Sequence, residues 1–220
     1  STIAAQSSNR RSYRVDSVSL LAGFDQFYGA EDMPNVEAVD EGREPDTGTY
    51  DYNMFSFMHQ KLNTIQEPFL TFMFTSTNHS DFHLPSAKFE RYPHDLKNYY
   101  GYLNSLIYVD NAIERFIEGV KKEPWFDNTI FIFTSDHGSG NALGNIAKGL
   151  RPDDKIVSKI EGYRIPLLIY APKIFKPKEI DILGSQNDIK PTIIDLLGFE
   201  NSFSSMGNSL FDESSKNRFV

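Results

Sequence analysis

Short apolar runs separated by amphipathic and polar stretches organise the chain. Four runs predict buried strands, because each is short, apolar and bounded by polar or turn-forming residues; they cover residues 2–5, 69–75, 129–134 and 166–171. A longer segment, about 95–122, has apolar residues at helical spacing and ends before Pro124. The same pattern predicts shorter helices over 16–21, 52–65 and 188–197 and a surface loop over 29–50.

Strands that alternate with helices are typical of an α/β fold with a mainly parallel central sheet flanked by helices. We expect the strands at 69–75, 129–134 and 166–171 to belong to one sheet, with the long helix packed on one of its faces. No linker interrupts the pattern, so a single domain is predicted. Asp110 lies near the apolar stripe of the long helix, where a buried acid would need a hydrogen-bonding partner.

Composition excludes several classes of protein. The 220 residues contain 22 Lys and Arg against 30 Asp and Glu, a net charge of −8, which argues against a nucleic-acid-binding protein. No cysteine is present, so disulfides, thiolate metal sites and cysteine nucleophiles are excluded. No apolar stretch in the sequence is long enough to span a membrane.

Two predicted strands end in residues suited to chemistry. The first is followed by His79 and the second by Asp136 and His137. If the strands are neighbours, these side chains converge at the carboxyl edge of the sheet, where α/β proteins bind ligands. Adjacent Asp and His can bind one divalent ion, with Mn²⁺ or Zn²⁺ suited and Mg²⁺ tolerated. The alternatives are an Asp that caps a turn and a histidine that is only hydrogen-bonded or solvated.

A second, weaker pattern follows the same strand. Gly138-Ser139-Gly140 with Gly144 resembles a phosphate-binding loop, but Gly144 comes one position too late for G-x-G-x-x-G.

Four segments, taken in order, resemble the alkaline phosphatase/sulfatase superfamily. They are similar above all to the lipoteichoic acid synthase-like phosphoglycerol and phosphoethanolamine transferases. The segments are Thr77-Asn78-His79, Tyr108-Val109-Asp110-Asn111-Ala112-Ile113, Ser135-Asp136-His137-Gly138 at the end of a strand, and Asn187-Asp188-Ile189-Lys190-Pro191-Thr192 opening a late helix. Their order and spacing over about residues 50–210 make the resemblance specific.

The resemblance implies roles for particular residues. Asp136 and His137 would be metal ligands, and His79 would contact the substrate phosphate or head group. The family's nucleophilic Thr and an acidic metal ligand have no match here, so we expect residues 1–220 to be the C-terminal portion of a single sulfatase-like catalytic domain, truncated on its N-terminal side.

Two features depart from the family's pattern. Asp81 stands where relatives have Pro, and His83 where they often have a small polar residue, which puts substrate contacts near Asp81 in question. The family's basic loop is matched loosely by Asn9, Arg10, Arg11 and Arg14, and the choice of substrate-binding arginine stays open.

The resemblance predicts a metal-dependent transferase that moves phosphoglycerol or phosphoethanolamine onto an envelope glycan or lipid through a phospho-threonine intermediate. The implied cofactor is one divalent metal ion, Mn, Mg or Zn, or Ca in a true sulfatase. The implied partners are phospholipid or glycan head groups, without nucleic acid. The whole protein would reach the membrane through a further N-terminal region, with its catalytic domain on the extracytoplasmic or periplasmic face, whereas this portion alone is expected to be soluble and inactive. A sulfuric ester hydrolase and a non-catalytic domain that retained the fold are the alternatives.

Overall fold

The computed structural model of the chain describes residues 1–45, 47–138, 163–200 and 202–212. The chain divides into two compact units, Ser1–Phe175 and Lys176–Val220. In the first unit the helices and strands are β1 (Thr2–Gln6), α1 (Val15–Leu21), β2 (Gln26–Tyr28), α2 (Asp51–Leu62), β3 (Leu70–Phe74), α3 (Tyr99–Val120), β4 (Phe131–Thr134) and β5 (Leu167–Tyr170); the second contains α4 (Ile189–Leu196). The predicted alternation of strands and helices is confirmed.

The parallel sheet has the strand order β2-β1-β3, with β1 in the middle. Ala4 of β1 lies opposite Phe27 of β2 and Phe72 of β3. Crossovers between parallel strands are right-handed. When one crossover leads to the next strand on one side and the following crossover leads back to the other side, their helices therefore lie on opposite faces of the sheet. The chain moves from β1 to β2 through α1 and returns past β1 to β3 through α2. The two helices therefore cover opposite faces of β1.

The hydrophobic core lies on the face covered by α2 and α3, which pack closely on each other. Ile3 and Ala5 of β1 point into it and are fully buried. Both helices present apolar residues at helical spacing, and β4 adds the buried Phe131. The core is rich in aromatic rings, such as the stacked pair Phe55 and Phe116 with centroids 5.2 Å apart. The sequence-predicted amphipathic face of the long helix is thus the face that packs.

The expected single sheet is wrong in one respect. β4 pairs with β5 in antiparallel fashion, with Phe131 opposite Tyr170, and the two form a separate two-stranded sheet. Within the described residues neither strand hydrogen-bonds to β3. The apolar composition of a run reports its burial, whereas strand pairing depends on contacts between distant segments that local pattern does not encode.

Three further details differ from the sequence-based expectation. The three-residue strand β2 was not predicted, because it is too short to show a period. Asp110 is exposed, and the buried polar residues of α3 are instead Asn104 and Ser105. The loop over 29–50 is anchored rather than freely solvated, since the buried Glu37 pairs with Arg115 at 2.7 Å.

In the second unit, the buried residues Asp188 and Thr192 form a hydrogen-bonded cluster at the start of α4. Asp188 accepts hydrogen bonds from the backbone N–H groups of Ser185 and Asn208, each at 2.8 Å. The Thr192 hydroxyl donates to the Asp188 carbonyl at 2.6 Å and accepts from the Leu210 N–H. The late Asp-Ile-x-Pro-Thr motif therefore ties the chain after α4 back onto the helix.

Candidate functional site

The loops that follow β1 and β3 border a crevice at the carboxyl edge of the parallel sheet. The β1 loop leads to α1 on one face, and the β3 loop leads to α3, which packs with α2 on the other. Loops that diverge in this way from neighbouring parallel strands form the topological switch point, where open α/β sheets bind ligands. Tyr13 and His79 meet here, with ring centroids 5.9 Å apart and the tyrosine hydroxyl 3.5 Å from the histidine Nε2.

The β1 loop has an unusual backbone. Arg11, Tyr13 and Arg14 have φ values of 69°, 54° and 57°, in the left-handed region that residues other than glycine rarely occupy. Each such residue costs roughly 1–3 kcal/mol, and such conformations concentrate at ligand-binding and catalytic sites. Tyr13 lies within this strained segment and is exposed, with 73% of its surface accessible.

The arginines of this loop separate into two groups. Arg10 forms an ion pair with Asp32 and lies over the Phe27 ring, while its backbone N–H donates to Glu31. Arg11 and Arg14 are exposed and form no ion pair with any residue that the structure describes. Arg10 is therefore committed to holding the loop, whereas Arg11 and Arg14 carry positive charge beside Tyr13.

A hydrogen bond determines which nitrogen of His79 carries a proton. Its Nδ1 lies 2.6 Å from the carbonyl oxygen of Ser80, which can only accept, so Nδ1 is the donor. Nε2 is then the nitrogen that points toward Tyr13 and solvent. His79 can accept or deliver a proton, or donate a hydrogen bond when protonated, through this nitrogen.

Asp51, the first residue of α2, lies beneath the two loops and is completely buried. Its Oδ1 accepts from the Ser7 hydroxyl at 2.5 Å and from the Ser76 N–H at 2.8 Å, and its Oδ2 accepts from the Thr77 N–H at 3.2 Å. Burial raises the pKa of Asp51 above its usual range, and these hydrogen bonds counteract part of that rise. One carboxylate thus joins the end of β1 to the end of β3.

Asp136 and His137 lie together on the surface, one residue beyond the end of β4. The Asp136 Oδ2 is 3.5 Å from the His137 Nε2. The His137 Nδ1 donates to the Gly138 carbonyl at 2.8 Å, which leaves the Nε2 lone pair on the side of the carboxylate. Histidines that bind metals commonly donate their other ring N–H to a backbone carbonyl in this way.

The Asp136 carboxylate and the His137 imidazole could supply two ligands of a metal site. Two ligands at about 2.1 Å from one tetrahedral ion stand about 3.4 Å apart, close to the separation of Asp136 and His137. A zinc site has at least three protein ligands, and no three His, Cys, Asp or Glu side chains among the described residues form a group that could hold an ion. Of the weaker Gly-rich pattern, Ser139, Gly140 and Gly144 lie outside the described residues.

Sequence reasoning missed Tyr13 and Asp51. Tyr13 is exposed and lies in a polar loop with no recognisable pattern, and its proximity to His79 joins residues 66 positions apart. Asp51 carried a detectable signal, an acidic residue at the start of a predicted helix, but such residues are common on helix surfaces. Its burial follows only from the approach of Ser7 and Ser76.

Solved structures with the same fold include two members of the superfamily. A lipoteichoic acid synthase from Listeria monocytogenes superimposes with a TM-score of 0.73 at 23% identity, over 94% of this chain and 52% of that one. An alkaline phosphatase superfamily protein from Vibrio parahaemolyticus gives a TM-score of 0.65 at 22% identity, over 90% and 44% of the two chains. These similarities support the α/β fold with a parallel sheet flanked by helices.

Curated relatives and a family profile extend the comparison to sequence. The lipoteichoic acid synthase-like protein YvgJ of Bacillus subtilis is 27% identical over 181 residues, which is 78% of this chain and 28% of the relative. Phosphoglycerol transferase I of Salmonella typhi is 31% identical over 137 residues, 60% of this chain and 18% of the relative. The chain therefore spans less than a third of the length of these relatives. The Sulfatase family profile matches residues 3–199, so the chain belongs to the sulfatase family.

Proposed function

We propose that the chain is part of the catalytic domain of a metal-dependent phosphoglycerol or phosphoethanolamine transferase that acts on envelope glycans or lipids. The observation that carries the proposal is the meeting of Tyr13 and His79 at the switch point of the parallel sheet, beside two exposed arginines. A phosphodiester head group needs positive charge and hydrogen-bond donors at one place. Relatives named as lipoteichoic acid synthases and phosphoglycerol transferases support this class of substrate.

In this proposal the residues of the crevice bind and orient the head group. Arg11 and Arg14 attract the phosphate, and their planar guanidinium groups can each donate two hydrogen bonds to its oxygens. When both ring nitrogens of His79 carry protons, its Nε2 donates to a phosphoryl oxygen or to the leaving oxygen. The Tyr13 hydroxyl lies within reach of the same nitrogen and helps to orient the histidine ring.

Asp136 and His137 would hold the divalent ion through a carboxylate oxygen and Nε2. When bound, the ion would lower the pKa of the nucleophile and balance negative charge on the phosphoryl oxygens. The nucleophilic Thr and the remaining ligands would come from sequence outside this chain.

An apolar face of the sheet supports the proposal that more of the same domain packs here. Leu70, Phe72 and Phe74 of β3 point to the face opposite the core, and Leu70 and Phe72 keep 50% and 43% of their surfaces exposed. On α1, which covers part of this face, Leu21 is 89% exposed. Parallel sheets are normally covered on both faces. Since the chain matches only 52% of the Listeria structure, we propose that the rest of the catalytic domain covers this surface.

The proposal can be tested on the whole protein. When the enzyme and a divalent ion are added to vesicles of phosphatidylglycerol, we expect diacylglycerol to be released. Arg11→Ala and Arg14→Ala should each lower the rate of this release. Arg10→Ala is the matched control, because it should lower stability more than substrate affinity. Turnover of an aryl sulfate without phosphodiester turnover would favour a sulfatase, and the absence of both activities and of metal binding would favour a non-catalytic domain.

The proposal also covers location. No helix in the parts of the chain that the structure describes is long and apolar enough to cross a membrane. We propose that sequence beyond this chain connects the catalytic domain to the membrane, on its extracytoplasmic face, where envelope lipids and glycans are available.

A further inference from the structure

We propose that Asp51 is a positioning residue, which sets the separation of the two loops that carry Tyr13 and His79. The expected effect of Asp51 on ligand binding rests on the proposed function. Its expected effect on the distance between Tyr13 and His79 is independent of that function. The residue touches neither side chain directly. It acts through the backbone of the β3 loop and through the residue that follows β1.

The first connection runs from Asp51 to His79. The carboxylate accepts hydrogen bonds from the backbone N–H groups of Ser76 and Thr77. The carbonyl of Ser76 in turn accepts from the N–H of His79 at 2.9 Å, which closes the turn that presents the histidine. The Thr77 hydroxyl oxygen accepts a hydrogen bond from the Asp51 backbone N–H at 3.2 Å, which adds a further link between the turn and α2. The turn is therefore fixed to the start of α2.

The second connection runs from Asp51 to the β1 loop. The Ser7 hydroxyl lies 2.5 Å from the Asp51 Oδ1 and 2.7 Å from the Ser76 hydroxyl, so Ser7 joins the carboxylate and the β3 loop. The Ser7 carbonyl accepts from the Thr49 N–H at 2.7 Å. Gly48 permits this approach, because its φ is +77° and a Cβ there would lie 2.5 Å from the Ser7 carbonyl oxygen.

The hydrogen-bond partners of Asp51 separate a positioning role from a contribution to the core. Among the described residues, every hydrogen bond of the Asp51 side chain goes to Ser7, Ser76 or Thr77, which lie just after the ends of β1 and β3. Glu37 provides the contrast. It is also a buried acid, but it binds Arg115 and the Tyr108 hydroxyl of α3. Replacing Glu37 should weaken the fold without changing the distance between Tyr13 and His79.

The experiment compares Asp51→Asn with Glu37→Gln in the 220-residue chain, which is labelled for NMR. The first readout is the nuclear Overhauser effect between the Tyr13 and His79 rings. The second is the Kd for glycerol phosphate, measured from the chemical shift of His79. An amide keeps the volume of the carboxylate but offers one acceptor oxygen, so the Thr77 N–H loses its Oδ2 partner and the turn shifts.

In Asp51→Asn we expect the nuclear Overhauser effect between Tyr13 and His79 to be lost and the Kd to rise about 10-fold to 100-fold, as for the loss of one hydrogen bond to a charged group. Glu37→Gln should retain both the contact between the Tyr13 and His79 rings and the wild-type Kd. If Asp51→Asn keeps the ring contact, the proposal is overturned. If wild type does not bind glycerol phosphate, the proposed function fails, and the ring contact alone decides on Asp51. Should Asp51→Asn not fold, Ser7→Ala removes one of the two connections and should weaken the same contact; an unchanged contact in Ser7→Ala would overturn the proposal.

Discussion

The crevice between β1 and β3 and the end of β4 carry the two halves of the proposed chemistry, and they differ in construction. In the crevice, the fully buried Asp51 of α2 and three hydroxyl side chains from the loops after β1 and β3 form a connected network beneath exposed Tyr13 and His79. At the end of β4, Asp136 and His137 are exposed; the His137 backbone N–H donates to Asp136, and the His137 Nδ1 donates to the Gly138 carbonyl. Long-range hydrogen bonds therefore lie beneath the proposed head-group region, whereas the proposed metal ligands are exposed residues at the end of a strand.

This difference indicates which part of the site the chain can form alone. Long-range contacts hold the crevice within the first unit, so it should bind a small anion without further sequence. Two ligands cannot retain an ion tightly, because affinity for a divalent cation grows with the number of ligands that converge on it. The chain should therefore bind head groups measurably, bind metal weakly and not turn over substrate.

The largest expected effect belongs to Asp136. In the whole protein, Asp136→Asn should lower metal-dependent turnover by at least about 1,000-fold, because a bound ion contributes several kcal/mol to stabilising charge in the transition state. Its unfolding free energy should change by less than about 0.5 kcal/mol, as is usual for exposed positions. Steady-state kinetics, calorimetric metal titration and urea unfolding measure the three quantities.

Asp127→Asn is the matched control, since Asp127 is an exposed acid that precedes β4 at its other end. It should leave turnover and metal binding unchanged. A full-rate Asp136→Asn enzyme with unaltered metal affinity would remove the ligand assignment and favour the non-catalytic alternative.

The second effect concerns stability at the crevice. Asp51→Asn should lower the unfolding free energy by about 1–3 kcal/mol, the cost of a buried donor that loses its acceptor. Burial raises the folded-state pKa of Asp51 above its unfolded value, so its protonation contributes stability that is fully present below the unfolded pKa and is lost as pH rises through the folded one. The difference in unfolding free energy between wild type and Asp51→Asn, measured by urea titration, should then be larger at pH 3.5 than at pH 7. A difference that grows toward pH 7 would mean that the hydrogen bonds outweigh burial.

A smaller effect is expected at Tyr13. Tyr13→Ala should weaken glycerol phosphate binding by about 10-fold, the equivalent of one well-formed hydrogen bond to a charged group. Tyr163→Ala, at another tyrosine that is 81% exposed, should have no effect. Isothermal titration on the two variants compares them directly; equal affinities would exclude Tyr13 from the head-group site.

The smallest effect lies away from both regions. His59 and Glu123 form an ion pair at 2.7 Å, and the hydrogen bond from His59 holds the pKa of Glu123 below its usual range. The pair's contribution should be present above the ordinary pKa of glutamate and lost as pH falls through the lowered value. Thermal midpoints of wild type and Glu123→Gln should differ slightly at pH 7 and converge at pH 3. Turnover and head-group binding should not change, and a change in either would show that the regions are coupled.

The sequence predicts strands and helices best where the spacing of apolar residues within one segment shows which of its sides is buried. The run over 129–134 and the long helix correspond to β4 and α3, with ends that differ by a few residues. The sequence points to His79, Asp136 and His137 because each follows a predicted strand, and the structure places each of them after a strand with an exposed side chain. Their convergence on one site stays a prediction.

The sequence by itself determined the α/β class, the positions of most strands and the local pairing of Asp136 with His137. Only the tertiary structure decided that β4 pairs with β5, that Asp51 is buried between Ser7 and Ser76, and that Tyr13 meets His79. The reason is physical. Periodicity records which side of an element avoids water, and it follows from neighbours in the chain. Pairing and hydrogen bonding between strand-end loops depend on segments that folding brings together, 44 residues apart for Ser7 and Asp51 and 66 for Tyr13 and His79.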